Sequence, residues 1–383
     1  MNIKLVKDTI DFGDITKLIE WLKTNPRLTK GELTTEFEKK WSEWLGVKYS
    51  VFVNSGSSAN LAALYSLILS KRMRNNKIVV PAVSWVTTVT PAIQLGLEPI
   101  MCECDYGNLG LDINHLKEII KTEDPSTIIL VHVLGIPNNM KEITELCNEN
   151  DILLIEDTCE SIGSKYDNKM VGTFGDMSTF SFYFGHHMST IEGGMISTDD
   201  EELYHILLSI RSHGWDRDLP EKKQTELRQK YGVNDFRALY TFYYPGFNLR
   251  ATDLQAFLGL GQLEKLDNIV HNRHKNYLKY KKEIKNDFWV INEPEGSYVS
   301  NFSFPIVTKN IDKLISELSN NDIECRPLIC GSINEHPFWY ERYGKQELNN
   351  AKIIHEYGLY LPNNHQMTDD EINKVIKIVN ENI

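Results

Sequence analysis

The sequence predicts an α/β protein: a mostly parallel sheet with helices on both faces, followed by a smaller C-terminal α+β domain. Three observations predict it. From Tyr49 short apolar runs alternate with helical stretches, the signature of strand–helix–strand units. The runs are short and apolar and the stretches between them helical, so helices are expected on both faces of the sheet. After roughly residue 285 the order changes to two strands, a helix, another strand and a terminal helix.

The elements follow in order. Helical periodicity is clear from Ile15 to Leu22 and again in GELTTEFEKKWSEWLG. YSVFV, KIVVPAV, EPIMCEC, TIILVHVL, ILLIED and MSTFSFY read as strands, and a glycine-rich turn after the last leads into one more. SSANLAALYSLILSKRM and MKEITELCNEN read as helices between them. A helix runs from Asp200 to about His213, and the polar stretch from Trp215 to Gly246 reads as a long loop with a charged helical insert. One long helix is expected from Thr252 past Lys275. The expected division is a large domain over 1–260, with an N-terminal helical segment, and a small domain over 261–383. In a sheet of this kind ligands gather at the carboxyl ends of the strands.

Composition narrows the function. The chain has 383 residues and a formal net charge of -12, which argues against a nucleic-acid backbone as partner. Six cysteines in a chain of this length do not make a disulfide framework. The opening MNIKLVKDTIDFGDI lacks the apolar core of a signal peptide, and no apolar run approaches the roughly 18 residues of a membrane span. The expected compartment is the cytoplasm, with no membrane partner.

Three segments carry chemistry. NSGSSANL, from Asn54 to Leu61, follows a strand and opens a helix. Gly56 permits a tight turn, while Ser57 and Ser58 offer hydroxyls and free N–H groups. This is either a capped helix start or a phosphate seat as well. LLIEDTCES ends a strand in Glu156–Asp157. Side chains alternate along a strand, so one carboxylate can enter a cleft while the other faces away. A buried Asp needs a cationic partner, such as a protonated ring nitrogen; a metal ligand or a helix cap are the alternatives. SFYFGHHMSTIEGG places Ser181 at a strand end and His186 and His187 in a loop. No helical His pair or Cys-x-x-Cys accompanies them, so no metal is expected.

Together these segments resemble the DegT/DnrJ-type sugar-nucleotide aminotransferases. SGSSANL, VPAVSWVTT, IEDTCESIGS, TFSFYFGHH, IEGGMIST, RSHG and FNLRATDLQAFLGLGQLEKLD occur in that family's order and spacing over nearly the whole chain. The resemblance implies the type I aminotransferase fold with a seven-stranded sheet, and pyridoxal phosphate as cofactor. It implies that Asp157 pairs with the pyridinium nitrogen, that Gly56, Ser57, Ser58 and Ser181 hold the phosphate, and that Trp85 stacks on the ring. Glu160 would lie near the ring's hydroxyl edge. Asn248 would reach the phosphate of the neighbouring subunit in a homodimer with shared sites. Arg27, His213, Arg217, Arg250 and Glu324 would contact the nucleotide sugar, while His187 is left as structural.

One departure carries the functional expectation. The family has a lysine five residues after the serine of its SF motif, and that lysine bonds covalently to the cofactor. Five residues after Ser181 this chain has His186. Imidazole can act as base and then acid near neutral pH, but it cannot make the covalent link. Lys165 and Lys169 fall in an expected turn and are discounted as substitutes. A histidine here resembles the branch of 3-dehydratases that make 3,6-dideoxy sugars for lipopolysaccharide O-antigen or capsule. That implies C3 dehydration of a GDP-linked 4-keto-6-deoxy sugar of mannose or heptose type, with L-glutamate regenerating pyridoxamine phosphate. A second His-bearing branch carries an iron–sulfur cluster. Cys102, Cys104, Cys147, Cys159, Cys325 and Cys330 show no familiar cluster spacing, so none is expected. The competing readings are an aminotransferase that still aminates its sugar and a non-catalytic cofactor-binding dimer.

Overall fold

The computed structural model describes residues 2–383. At its centre is a seven-stranded sheet, with β1 at Tyr49–Val53, β2 at Lys77–Pro81, β3 at Glu98–Cys102, β4 at Thr127–Val131, β5 at Leu153–Asp157, β6 at Met177–Ser181 and β7 at Gly194–Thr198. The spatial order is β1-β7-β6-β5-β4-β2-β3. Pairings from β6 through β5, β4 and β2 to β3 are parallel, and β7 alone runs against its neighbours. The strands are apolar because both faces are covered: every residue of β4, β6 and β7 is buried. Several expected strands were too long. Ala82 and Val83 are buried, yet they leave the ladder after Pro81, and Val83 bridges Ser332 of the C-terminal region instead.

The helix Glu32–Leu45 brings Phe37 and Trp41 onto Phe52, Phe180 and Phe182. Trp41 lies 4.9 Å, ring centre to ring centre, from each of Phe180 and Phe182. This aromatic cluster clamps the end of β6, where the histidine loop begins. The helix N-cap is Gly31, which has no side chain to cap with. Asp253 substitutes from far along the chain, accepting from the N–H groups of Gly31 at 2.7 Å, Leu33 at 3.2 Å and Thr34 at 3.0 Å, and from the Thr34 hydroxyl at 2.7 Å.

The long helix expected after Thr252 is two helices, Asp253–Leu263 and Leu266–Glu283. The chain tightens at the junction, where the Lys265 N–H bonds the Gln262 carbonyl. The Lys265 ammonium then reaches Asp11 at 2.6 Å and Asp14 at 2.7 Å, the capping-box residues of the helix Phe12–Leu22. The expected charged insert is the helix Glu221–Tyr231, which buries no residue. All seven strands of the large sheet precede residue 260, which itself lies inside the helix Asp253–Leu263. After it comes a three-stranded antiparallel sheet with Gly358–Leu361 between Phe304–Val307 and Arg326–Pro327. The start of the chain also belongs here, since Ile3 forms a parallel bridge with Ile323. No helix among the described residues is long and apolar enough to cross a membrane.

Candidate active site

The carboxyl ends of β1, β2, β4, β5 and β6 open into one cavity of about 520 Å3, closed on the far side by residues of the C-terminal region. That volume suits a cofactor with part of a substrate. Gly56, Ser57, Trp85, Asp157, Glu160, Ser181, His186 and Glu324 all line it.

Asp157 is the buried carboxylate at the end of β5. Its Oδ2 accepts from Asn60 Nδ2 at 2.8 Å and from the Thr88 hydroxyl at 2.7 Å, and its Oδ1 from the Cys159 N–H at 3.1 Å. Thr179 donates to Asn60 Oδ1 at 2.6 Å, which turns the amide so that its N–H₂ faces Asp157. Glu156 faces away, as strand alternation requires. It accepts from the N–H groups of Gly172, Phe174 and Gly175 at 2.7–2.8 Å and contacts His132 at 3.1 Å. Glu156 is thus structural, and Asp157 belongs to the cavity.

The phosphate seat lies where the helix Gly56–Ser70 meets β6. A Cβ on Gly56 would come within 2.7 Å of the Ser181 Cβ, so only glycine allows this approach. Ser55 is the N-cap and accepts the Ser58 N–H at 3.1 Å, leaving Gly56 and Ser57 at the open end. Ser58 itself donates to Asn54 at 2.6 Å and does not line the cavity. Trp85, at the start of the helix Val86–Gln94, presents an exposed indole to the cavity.

Glu160 is buried and accepts the Leu134 N–H at 2.8 Å. Leu134 holds that N–H in place with a left-handed φ of 53°. Burial pushes the Glu160 carboxyl up to about 8, opposed by that N–H and aided by the charge of Asp157. His186 is half-buried against Phe302, 5.2 Å between ring centres. Its Nδ1 is sealed from solvent. Burial pushes its imidazole down to about 4; the Cys159 backbone opposes this and the Arg273 charge adds to it. His187 points elsewhere and contacts the Ser300 carbonyl at 3.0 Å through Nε2, so it is structural.

The remaining expected residues do not line this cavity. Asn248, Arg250, His213 and Arg217 form a second cluster, the last three about the Trp215 ring. Arg250 donates to Asn248 Oδ1 at 3.0 Å and lies 3.4 Å from His213 Nε2. Arg217 stacks 4.0 Å over Trp215 and donates to the Leu239 carbonyl. Arg27 is exposed and joins neither group. Lys165 and Lys169 lie on the hairpin Lys165–Tyr166/Lys169–Met170 and do not line the cavity. Sequence reasoning missed Asn60, Thr88, Lys4, Arg326 and Phe302, all of which line it. Asn60 stands one helical turn after Gly56 and Thr88 three residues after Trp85, so spacing could have found both. Lys4 had no such signal.

A profile of the DegT/DnrJ/EryC1/StrS aminotransferase family matches residues 10–380. A GDP-4-keto-6-deoxy-D-mannose 3-dehydratase from Yersinia pseudotuberculosis is 35% identical over 392 residues, spanning 99% of this chain and 98% of its own. A lipopolysaccharide biosynthesis protein, RfbH, from Salmonella typhimurium is 33% identical over 82% of this chain and 76% of its own. A crystal structure of a GDP-4-keto-6-deoxymannose-3-dehydratase with a trapped PLP-glutamate geminal diamine superposes with a TM-score of 0.90. It is 34% identical and covers 99% of this chain and 100% of its own.

Proposed function

Because the chain belongs to the DegT/DnrJ/EryC1/StrS aminotransferase family, we propose that it removes the C3 hydroxyl of a GDP-linked 4-keto-6-deoxy sugar. Its cofactor is pyridoxal phosphate, cycling with pyridoxamine phosphate, and its amino donor is L-glutamate. The observation that carries the reading is His186, a proton-transfer group in the cavity at the position where the family has its covalent lysine.

The residues present fit the cofactor. Asp157 is a buried carboxylate with three neutral donors and no cation among the described residues, which suits a protonated ring nitrogen. The Gly56–Ser181 approach leaves room where a Cβ would stand, at a helix N-terminus that suits a phosphate. Trp85 offers an exposed aromatic face. When bound, the cofactor supplies an amine that condenses with the C4 ketone and a conjugated ring that accepts electrons.

The chain's own groups do the rest. Asp157 keeps a proton on the ring nitrogen. Glu160, protonated at pH 7 with its carboxyl near 8, donates a hydrogen bond to the ring's hydroxyl edge. His186 is neutral at pH 7 and so is ready to take a proton from carbon. With Nδ1 sealed, Nε2 is the nitrogen that exchanges it. An imidazole held near 4 is a strong acid once protonated, and that favours handing the proton to the departing C3 hydroxyl. Asn248, Arg250, His213 and Arg217 sit outside the cavity of their own subunit. The reading assigns them to the cavity of a second copy in a homodimer.

The test is an absorbance spectrum of the protein with pyridoxal phosphate, before and after L-glutamate, followed by GDP-4-keto-6-deoxymannose and mass spectrometry of the sugar. The expected product has lost the C3 oxygen and kept a C4 ketone. A sugar that gains an amine would make the protein an aminotransferase. No spectral response to glutamate would leave a non-catalytic dimer.

A further inference from the structure

The proposed reaction brings a dicarboxylate donor and a nucleotide diphosphate into a cavity that is itself acidic. Four carboxyl residues line it, Asp157, Glu160, Glu192 and Glu324, of which Glu160 keeps its proton at pH 7, against two permanent cations, Lys4 and Arg326. Neither cation has a carboxylate within 4 Å among the described residues, whereas Lys7 pairs with Glu371 at 3.8 Å. Lys4 is also the only lysine among the lining residues.

Lys4 is fixed by its neighbours. The Ile3 N–H donates to the Asp322 carbonyl at 2.8 Å, and the Ile3 carbonyl accepts from the Glu324 N–H at 3.0 Å. Asn364 donates to the Lys4 carbonyl at 2.9 Å, and the Leu5 N–H donates to Glu324 Oε2 at 3.0 Å. Farther along, the Thr9 hydroxyl accepts from the Ser189 N–H at 3.0 Å, just beyond the histidine loop. Ile3 and Leu5 are buried and Lys4 between them is exposed, the alternation of an extended strand. A short strap therefore runs from the C-terminal sheet to the loop after His186, and it places Lys4, with its ammonium, in the cavity wall. Holding the backbone in place lowers the ordering cost of any contact that ammonium makes.

We propose that Lys4 is a substrate-binding residue: with Arg326 it receives an anionic group of a substrate, either a carboxylate of the amino donor or the diphosphate of the nucleotide sugar. This rests on the reaction proposed above. The test uses protein loaded with pyridoxal phosphate, titrated calorimetrically with 2-oxoglutarate and separately with GDP, for the wild type, Lys4→Ala and Lys4→Arg. We expect Lys4→Ala to weaken one of the two ligands about ten-fold or more, the loss of one charged hydrogen bond. Lys4→Arg should recover most of it, and kcat should stay within about two-fold while the matching KM rises. A loss confined to 2-oxoglutarate assigns the carboxylate, and a loss confined to GDP assigns the diphosphate. Unchanged affinity for both overturns the proposal. So does a borohydride-stable adduct of the cofactor on Lys4, which would make it a covalent anchor. Should Lys4→Ala melt early, Lys4→Gln keeps the side-chain length and is read the same way. If the wild type binds neither ligand, the proposed reaction falls first and the role of Lys4 with it.

Discussion

His186 combines two properties that oppose each other in water. It is packed against Phe302 with one nitrogen sealed, which keeps it neutral, yet its other nitrogen must trade protons with a substrate. Replacing it by asparagine should keep the cavity's shape and lower the dehydration rate about 10²–10⁴-fold. The spectrum of the bound cofactor should persist. His186→Lys should bond the cofactor covalently, seen by borohydride trapping and mass spectrometry, and should suppress loss of the C3 oxygen. Unaltered dehydration in either variant would remove His186 from the mechanism. Asp157 makes a second prediction at this scale. Asp157→Ala leaves the Asn60 and Thr88 donors without their acceptor and the ring nitrogen without its counter-charge. Cofactor affinity should fall about ten-fold or more in an absorbance titration. Equal affinity would show that the carboxylate serves the fold alone.

Among the elements, the helix Glu32–Leu45 depends on a carboxylate more than two hundred residues away, since Asp253 makes four hydrogen bonds at its first turn. Asp253→Ala should cost about 1–3 kcal/mol in chemical denaturation. Asp253→Asn should recover part of that, and a stability change near zero would mean that water replaces the cap. The same contact marks where sequence reading stops. The strands, the capped helices and the strand-end residues Asp157, Ser181 and His186 were legible because each depends on local pattern: apolar runs, hydroxyls before helices, one motif with one residue changed. KIVVPAV read too long because Ala82 and Val83 are apolar for burial in the core, where Val83 bridges Ser332, and not for the ladder. The break at Glu264–Lys265 carries no glycine or proline and is set by a lysine turning toward Asp11 and Asp14. Asn60 and Thr88 were quoted within motifs, but only the folded chain shows them bonding Asp157.

For the whole molecule, titration gives a signed prediction. Burial pushes His186 and His365 to about 4 and lowers His187, His205, His274 and His355 as well, so below about pH 6.5 the unfolded chain binds protons that the folded protein refuses, and stability rises with pH. Burial pushes Glu160 to about 8, so from its ordinary 4.5 up to 8 the folded protein keeps a proton that the unfolded chain releases, and stability falls with pH. Six histidines outweigh one carboxyl through pH 6.5, and Glu160 takes over as their titration in the unfolded chain ends. The cofactor-free protein should therefore be most stable between pH 6.5 and 8, and Glu160→Gln should flatten the decline on the alkaline side of that maximum in denaturant titrations. A decline that persists in Glu160→Gln would place its cause elsewhere. The proposed homodimer makes a separate prediction. Mixed subunits carrying His186→Asn and Asn248→Ala should regain up to about a quarter of native activity, because one of two shared sites is intact in each mixed dimer. No recovery on mixing would confine each site to one subunit. Finally, the strap at Lys4 sets an order of events during synthesis. Its partners Asp322, Glu324 and Asn364 leave the ribosome more than three hundred residues later, a wait of roughly 16–64 s at 5–20 residues per second. Through that interval Ile3 and Leu5 have no place to bury, so the strap is among the last segments to fold. A nascent chain stalled before residue 322 would carry a complete large sheet beside an unfinished cavity.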